Sequence, residues 1–381
     1  MKRYKIVQKS NFIGGSIQNK QCDGFTNLPS IVDNKNIDRI IAIGDIHGDL
    51  DLAIKYLEIS NVIKRVYVEN DMTVSMFYKD EPIKRIYEWI GLKTIVVQVG
   101  DQVDRCRPDL MGNECHMSNT TKNDESSDIT IMFFYYDLHV KAEKVGCALY
   151  SLLGNHEILN VIGNMSYVSY MGLQEFNGNV GRVNVFKRDT DVKLYKELYT
   201  IPEFLACTHL TSIVINGYLF VHAGLMEKLI DQYENVIPSI NEIIKNWLLN
   251  NNDDLNNARL NSLLLSQQTS PFWPRIFGTL KPHLGMSDHN CTKHVKPVLE
   301  KLNLKGMIIG HTPQIGKTIN STCSDTIWRV DIGSSHAFDE VLYPTNATEK
   351  TKATITNSRK PHVLQIKFNG SEPDTYSIVG L

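Results

Sequence analysis

The sequence lacks the marks of several protein classes. No apolar run approaches the ~18 residues that a membrane span needs, so neither a spanning helix nor a membrane partner is expected. The 40 Lys+Arg against 42 Asp+Glu leave a net charge of −2, which excludes a nucleic-acid binder working by bulk positive charge. The charged start, Met1 to Ser10, is followed by no apolar core and does not read as a secretory signal. Seven cysteines is an odd number with no CxxC pair, which argues against both a thiolate zinc site and a disulfide framework. The expected setting is therefore reducing and cytoplasmic, and the sequons at Asn164 and Asn346 carry no weight. What is present is ordinary globular composition, 42% hydrophobic and 22% charged over 381 residues.

Residues 1–36 are mixed and polar, and read as a loosely ordered N-terminal arm ahead of one domain over 37–381. Short apolar, mostly β-branched runs then end repeatedly at glycine: 39–43 at Gly44-Asp45, 94–99 at Gly100-Asp101, 148–153 at Gly154-Asn155 and 306–309 at Gly310-His311. Leu50, Ala53, Ile54 and Leu57 recur at helical spacing, and residues 129–145 predict a helix with Ile131, Phe134, Tyr135, Leu138 and Ala142 on one face. Residues 212–221 predict a hairpin turning at Asn216-Gly217, while 327–330 and 362–368 read as closing strands. Polar stretches at 106–128, 250–261 and 345–361 read as surface loops. Continuous apolar runs alternating with amphipathic helices indicate an α/β fold with a buried, largely parallel sheet.

In such a sheet, ligands bind beyond the carboxyl ends of the strands. Those ends carry Asp45 and His47 in Gly-Asp-Ile-His-Gly, then Asp101, Asp104 and Arg105 in Gly-Asp-Gln-Val-Asp-Arg. Asn155, His156 and Glu157 follow Gly154, His222 stands in Val-His-Ala-Gly, and His311 in Gly-His-Thr. Any one of these alone reads as a turn, a satisfied core histidine or a surface ion pair. Five in order at matching strand ends read as one site. Carboxylates, an amide oxygen and imidazoles without thiolates suit divalent manganese, iron or zinc. Two such ions ~3.5–4 Å apart clamp both oxygens of an in-line phosphoryl displacement, and a water between them loses its proton near neutral pH. The chemistry also needs cations for the phosphoryl oxygens and an acid for the departing alkoxide.

The ordered blocks GDxHG, GDxxDR, GNHE, HAG and GHT, spread over residues 39 to 335, resemble the calcineurin-like metallophosphoesterases, in their phosphoprotein phosphatase branch. The run from Gly154 to Tyr167 and the run Pro271-Phe-Trp-Pro-Arg275 resemble the Shewanella-like phosphatase subgroup. This resemblance implies a four-layer α/β/β/α metallophosphoesterase sandwich with two mixed central sheets. It implies Asp45, His47 and Asp101 as ligands of a first metal, and Asp101, Asn155, His222 and His311 as ligands of a second, Asp101 bridging. Two divalent ions follow, manganese foremost with iron or zinc as alternatives. His156 becomes the general acid, oriented by Asp104. Arg105 and Arg275 become the pair that grips the phosphate.

The implied activity is metal-dependent hydrolysis of phosphoserine or phosphothreonine esters, with a hydroxide that bridges the metals attacking in line. Tyrosine-directed phosphatases and diadenosine-tetraphosphate hydrolases share the scaffold and stand as alternatives. An inactive binding module is the alternative from another class. The implied partner is a phosphoprotein or phosphopeptide, and no motif points to a regulatory subunit. The chain departs from the family where glycine usually follows Asp-Arg. Here Cys106 does, and the acidic pair arrives only at Asp124-Glu125, so 106–123 reads as an insertion beside the site. Cys106 reads as packing before redox chemistry, and Cys115-His116 alone is too little for a further metal site. Asp331 reads as shaping the site without binding metal, and His209 and His336, near the motif strands, read as structural residues or as supports behind the ligands.

Overall fold

The computed structural model describes residues 21–67, 85–108, 114–251, 257–339, 348, 356–357, 359–370 and 372–380. The strands β2 (Arg39–Ile43), β5 (Thr94–Gln98) and β6 (Ala148–Leu152) pair in parallel, as their continuous apolar runs predict. The short β7 (His209–Leu210) extends them in parallel, while β13 (His362–Asn369) and β14 (Glu372–Gly380) close the other side antiparallel. A second sheet runs β1-β8-β9-β10-β12-β11, built from β1 (Ile31–Val32), β8 (Ser212–Ile215), β9 (Tyr218–Val221), β10 (Gly306–Ile309), β12 (Ile327–Arg329) and β11 (Asn320–Thr322). It is antiparallel at β8/β9 and β11/β12 and parallel elsewhere. Both sheets are therefore mixed rather than largely parallel. The antiparallel edge strands β11 and β14 lack the apolar run that marks a central strand, and so does the small hairpin β3 (Ile63–Tyr67) with β4 (Arg85–Trp89).

The two-residue period of a strand sorts the core into layers. Ile40 and Ala42 of β2 and Ile95 and Val97 of β5 meet Ile213, Phe220, Ile308 and Trp328 of the second sheet. Ile41, Ile43 and Val96 face the other way, onto Leu57 of helix α1 (Leu50–Ile59) and Ile131 and Leu138 of α2 (Asp128–Glu143). Leu219, Val221 and Ile309 face Phe204, Ile240 and Val298 on helices 201–208, 236–248 and 296–302. The result is helix, sheet, sheet, helix. Each fully buried isoleucine in these layers contributes roughly 1.5–3 kcal/mol by leaving water. The predicted face of α2 is buried, but Ile129, Met132 and Tyr136 on its other side are buried too, so the helix is wedged between two clusters.

The hairpin at Asn216-Gly217 forms as predicted, both turn residues having positive φ, +49° and +88°. Three expectations are corrected. Residues 21–36 are not a loose arm. Phe25 packs among Tyr136, Tyr195, Tyr199 and Phe204, and β1 adds to the edge of β8. Residues 1–20 lie outside the described residues. Second, six of the seven cysteines are paired, as Cys22–Cys207, Cys106–Cys115 and Cys291–Cys323, leaving Cys147 free and buried. The partners lie 185, 9 and 32 residues apart, so no short spacing announces them, and the argument for a reducing setting falls away. Third, the polar stretch 250–261 gives way to a helix at Asn257–Leu265. Most of 345–361 lies outside the described residues, and so do 109–113 within the insertion. Among the described residues no helix is long and apolar enough to cross a membrane.

Candidate active site

The strand ends converge. Asn155 Oδ1 lies 2.9 Å from His222 Nε2 and 2.8 Å from His311 Nδ1, and His222 Nε2 lies 3.2 Å from Asp101 Oδ2. On the other side of Asp101, His47 Nε2 stands 3.9 Å from Asp101 Oδ2 and 3.8 Å from Asp45 Oδ2. All these residues are buried. Two groups of ligand atoms gather within 4.8 Å, His47 with Asp101 and His156, and Asp101 with His222 and His311. Asp101 belongs to both, which is the placement a bridging carboxylate needs. His156 falls inside the first group by distance.

The proton positions on the three histidines follow from their outer partners. His222 Nδ1 is 2.9 Å from Val99 O, His47 Nδ1 is 3.2 Å from Val103 O, and His311 Nε2 is 3.1 Å from Trp273 O. A carbonyl only accepts, so each of those nitrogens carries the hydrogen, and the inner nitrogen of each ring in its neutral form presents a lone pair. Lone pairs of two histidines then face the lone pairs of Asn155 Oδ1 at hydrogen-bond distance. A cation between them resolves that arrangement. The residues therefore fit divalent metals, with the outer carbonyls orienting the rings as a metal site requires. Two glycines make room: a Cβ on Gly154 would strike Asp101 Oδ1, and one on Gly310 would strike Asp45 Oδ1.

The backbone is strained where it turns into the site. His47, Asp101, Asp104 and His311 all have positive φ, from 48° to 73°, each costing of order 1–3 kcal/mol that the packed sheets must hold. The electrostatics are equally built in. Burial, with Asp331 and Asp101 nearby, pushes the Asp45 carboxyl well above the usual range. Burial also opposes the Asp101 charge, but His222, His156 and His47 outweigh it and hold that carboxyl well below the usual range. Burial and the nearby charge of Arg107 push His47 down, and burial, His222 and Arg275 push His311 down. His222 is raised: burial opposes its charge, and Asp101 more than compensates.

Beside the centre, His156 Nδ1 donates to Asp104 Oδ2 at 2.7 Å, which leaves Nε2 facing inward, 3.9 Å from Asp101 Oδ2. Asn160 Nδ2 donates to Asp104 Oδ1 at 2.8 Å, and Asn160 Oδ1 accepts from Arg182, itself paired with Asp128 at 2.7 Å. Asn160 lies one turn beyond His156, inside the run from Gly154 to Tyr167, where sequence alone assigns it no role, and Arg182 stands in a separate helix, Asn179–Phe186, where nothing in the sequence marks it. Glu157 also has a task that its neighbours' chemistry hides. It accepts from the backbone N–H groups of Gly154, Asp101, Gln102 and Val103, tying the β5 and β6 loops together. Burial and Asp101 raise its carboxyl to about 7.

The two predicted arginines diverge. Arg275 is exposed at the rim and donates to His311 O at 3.0 Å. The structure does not bring Arg105 to the centre. Its Nη1 donates to Gly48 O at 2.9 Å and Glu125 Oε1 at 3.0 Å, with Asp49 Oδ2 at 3.5 Å, and its Nη2 donates to Asn123 O at 3.1 Å. Asp49 caps α1 and Glu125 accepts from Leu50 N, so Arg105 clamps the start of that helix, only 2% exposed. The acidic pair serves the same seam, Asp124 accepting from Ser169 Oγ and Met171 N. Asp331 is buried near the centre, one oxygen accepting from Gly333 N and the other without a hydrogen-bond partner. Burial raises its carboxyl to about 6. His209 lies beneath, against Gln102, and His336 pairs with Asp339. Cys115 is bonded to Cys106, and His116 pairs with Glu114 at the surface.

Fold and donor set together define a metal-dependent hydrolase. A family model, the calcineurin-like phosphoesterases, matches residues 38–314, and the chain belongs to that family, whose chemistry is hydrolysis of phosphoric esters. It is 32% identical over 234 residues to the uncharacterized protein R398 of Acanthamoeba polyphaga mimivirus, covering 55% of this chain and 89% of that protein. It is 26% identical over 377 residues to Shewanella-like protein phosphatase 2 of Arabidopsis thaliana, covering 90% of this chain and 83% of that one. Among solved structures, the cold-active protein-tyrosine phosphatase of a psychrophilic Shewanella species superposes with a TM-score of 0.58 at 17% identity, covering 93% of this chain and 83% of that one. That likeness is one of fold.

Proposed function

We propose that this protein is a phosphomonoesterase that removes phosphate from phosphorylated protein side chains, phosphoserine and phosphothreonine before phosphotyrosine. The observation that carries the reading is the pair of features on either side of Asp101: converging lone pairs for cations, and a buried His156–Asp104 dyad at 2.7 Å. Two divalent ions, manganese foremost, would supply charge for the phosphoryl oxygens and acidify the attacking water. Asp101 would be shared between them, Asp45 and His47 on one side and Asn155, His222 and His311 on the other. The chain's own contribution to bond breaking is the proton. With Nδ1–H held by Asp104, the protonated His156 delivers from Nε2 to the leaving oxygen. Serine and threonine alkoxides are poor leaving groups and gain most from such an acid. Arg275, exposed at the rim beside His311, would meet the phosphoryl group.

The test is phosphate release from phosphoserine, phosphothreonine and phosphotyrosine peptides and from diadenosine tetraphosphate, with manganese and with chelator. Metal-dependent release from the serine and threonine peptides is the expected result. Release from phosphotyrosine alone would make the enzyme tyrosine-directed, and turnover of the dinucleotide alone would move it to that class. Silence on all four with metal bound would leave a binding module.

A further inference from the structure

The chain carries a guanidinium inside the centre that no motif announces. Arg107 Nη2 lies against the His47 ring, 2.6 Å from Nε2, the nitrogen that faces Asp45 and Asp101, and 2.9 Å from Nδ1. Its Nη1 donates to Cys106 O at 2.7 Å and to Asp104 O at 3.2 Å, so the side chain curls back over the loop that carries it. The guanidinium stands 4.8 Å from the ring centre of Phe338 and 5.6 Å from that of Tyr167. Those same rings flank the two histidines, Phe338 beside His47 and Tyr167 beside His156. Arg107 thus occupies an aromatic slot directly over the groups that would perform the chemistry. Arg105 has both Nη atoms committed to the α1 clamp, with the carboxylates of Asp49 and Glu125 among its partners, whereas Arg107 has no carboxylate partner among the described residues, only two carbonyls and the His47 ring.

We infer that Arg107, rather than Arg105, is the arginine of this loop that grips the substrate's phosphoryl oxygens. The inference rests on the phosphomonoesterase reading above. Two further observations explain how a residue two positions along takes over. The Cys106–Cys115 disulfide closes a nine-residue span around Arg107, and Cys106 N donates to Tyr167 O at 3.1 Å. The loop is thereby pinned at its root, where glycine would leave it free. The planar guanidinium offers a fork of donors that matches two phosphoryl oxygens at once, and the neighbouring Phe338 and Tyr167 rings favour a cation there. On this reading the insertion does more than decorate the site: it substitutes one phosphate-binding arginine for another.

The experiment is calorimetric titration of manganese-loaded wild type, Arg107→Ala and Arg107→Lys with inorganic phosphate, alongside metal content by mass spectrometry and kinetics on p-nitrophenyl phosphate. Loss of a bidentate charged contact should weaken phosphate binding in Arg107→Ala by about tenfold or more, and raise KM by a similar factor, with metal content unchanged. Arg107→Lys should recover part of the affinity, since it restores the charge but not the fork. Unchanged phosphate affinity in Arg107→Ala with metal retained overturns the inference. So does loss of metal from that variant, which would make Arg107 an organiser of the ligands. If wild type hydrolyses no phosphoester, the functional reading fails, while the phosphate titration still decides the role of Arg107.

Discussion

The strand-end centre and the loop that runs from Asp104 to Asp128 border one another and behave differently. At the strand ends, each donor follows its strand within one to four residues. The hydrogen-bonded register of the sheets carries it to a place no neighbour can take. In the loop, position is set by side-chain partners, so roles move between residues. Arg105 becomes a clamp for α1, and Arg107 reaches the centre in its stead. The contrast teaches that backbone pairing makes a residue's position predictable, whereas a loop tied by a disulfide and a few buried polar contacts can reassign it.

The largest test of the comparison is Asp101→Asn. It removes the one carboxylate shared by both ligand groups, so turnover at saturating manganese should fall by about 10³-fold while the melting temperature changes little. Wild-type turnover in that variant would sink the assignment of the centre.

Next is His156→Asn, which removes the proton donor at the border of the two regions. Turnover of a phosphoserine peptide should fall by about 10²–10⁴-fold, and of p-nitrophenyl phosphate by much less, because nitrophenolate needs no acid. Equal losses on both substrates would argue against the acid role.

Arg105→Ala then separates structure from chemistry within the loop. Removing a cation that is 2% exposed leaves Asp49 and Glu125 without it, and urea denaturation should register a loss of about 3–5 kcal/mol. The same truncation at Arg107 should cost less stability and more phosphate affinity. The reverse ranking would collapse the distinction between the two arginines.

The smallest effect at neutral pH lies under the centre, at His209. Burial lowers its pKa to about 3, from the ordinary 6.5. The folded protein therefore holds it neutral while the unfolded chain takes up a proton below 6.5. The stability this represents is intact above that pH and drains away at about 1.4 kcal/mol per pH unit as pH falls toward 3. His209→Gln should flatten the acid side of the stability curve by that slope. An identical acid limb in the variant would place the sensitivity elsewhere.

Much of this molecule was legible from its residues. The central strands, the α/β class and the gathering of Asp45, His47, Asp101, Asn155, His222 and His311 at strand ends were readable from apolar runs that stop at a glycine or, for His222, at the histidine itself. Local sequence and sheet geometry suffice there. The edge strands β11 and β14 were not legible, because pairing rather than apolar content makes them strands. Residues 21–36 read as loose because their anchors, Phe25 against the Tyr195 cluster and Cys22 against Cys207, lie far away in the chain. The support of His156 by Asn160 and Arg182 is hidden for the same reason.

What the amino-acid sequence determined by itself is thus the chemistry: which donors exist, that they are oxygen and nitrogen, and that strands end beside them. Tertiary structure alone decided which cysteines pair, which proton each histidine keeps, and which arginine of the loop lies against His47. Those outcomes depend on contacts between distant residues, on burial and on the few hydrogen-bond partners left once the sheets have packed. No local pattern encodes them.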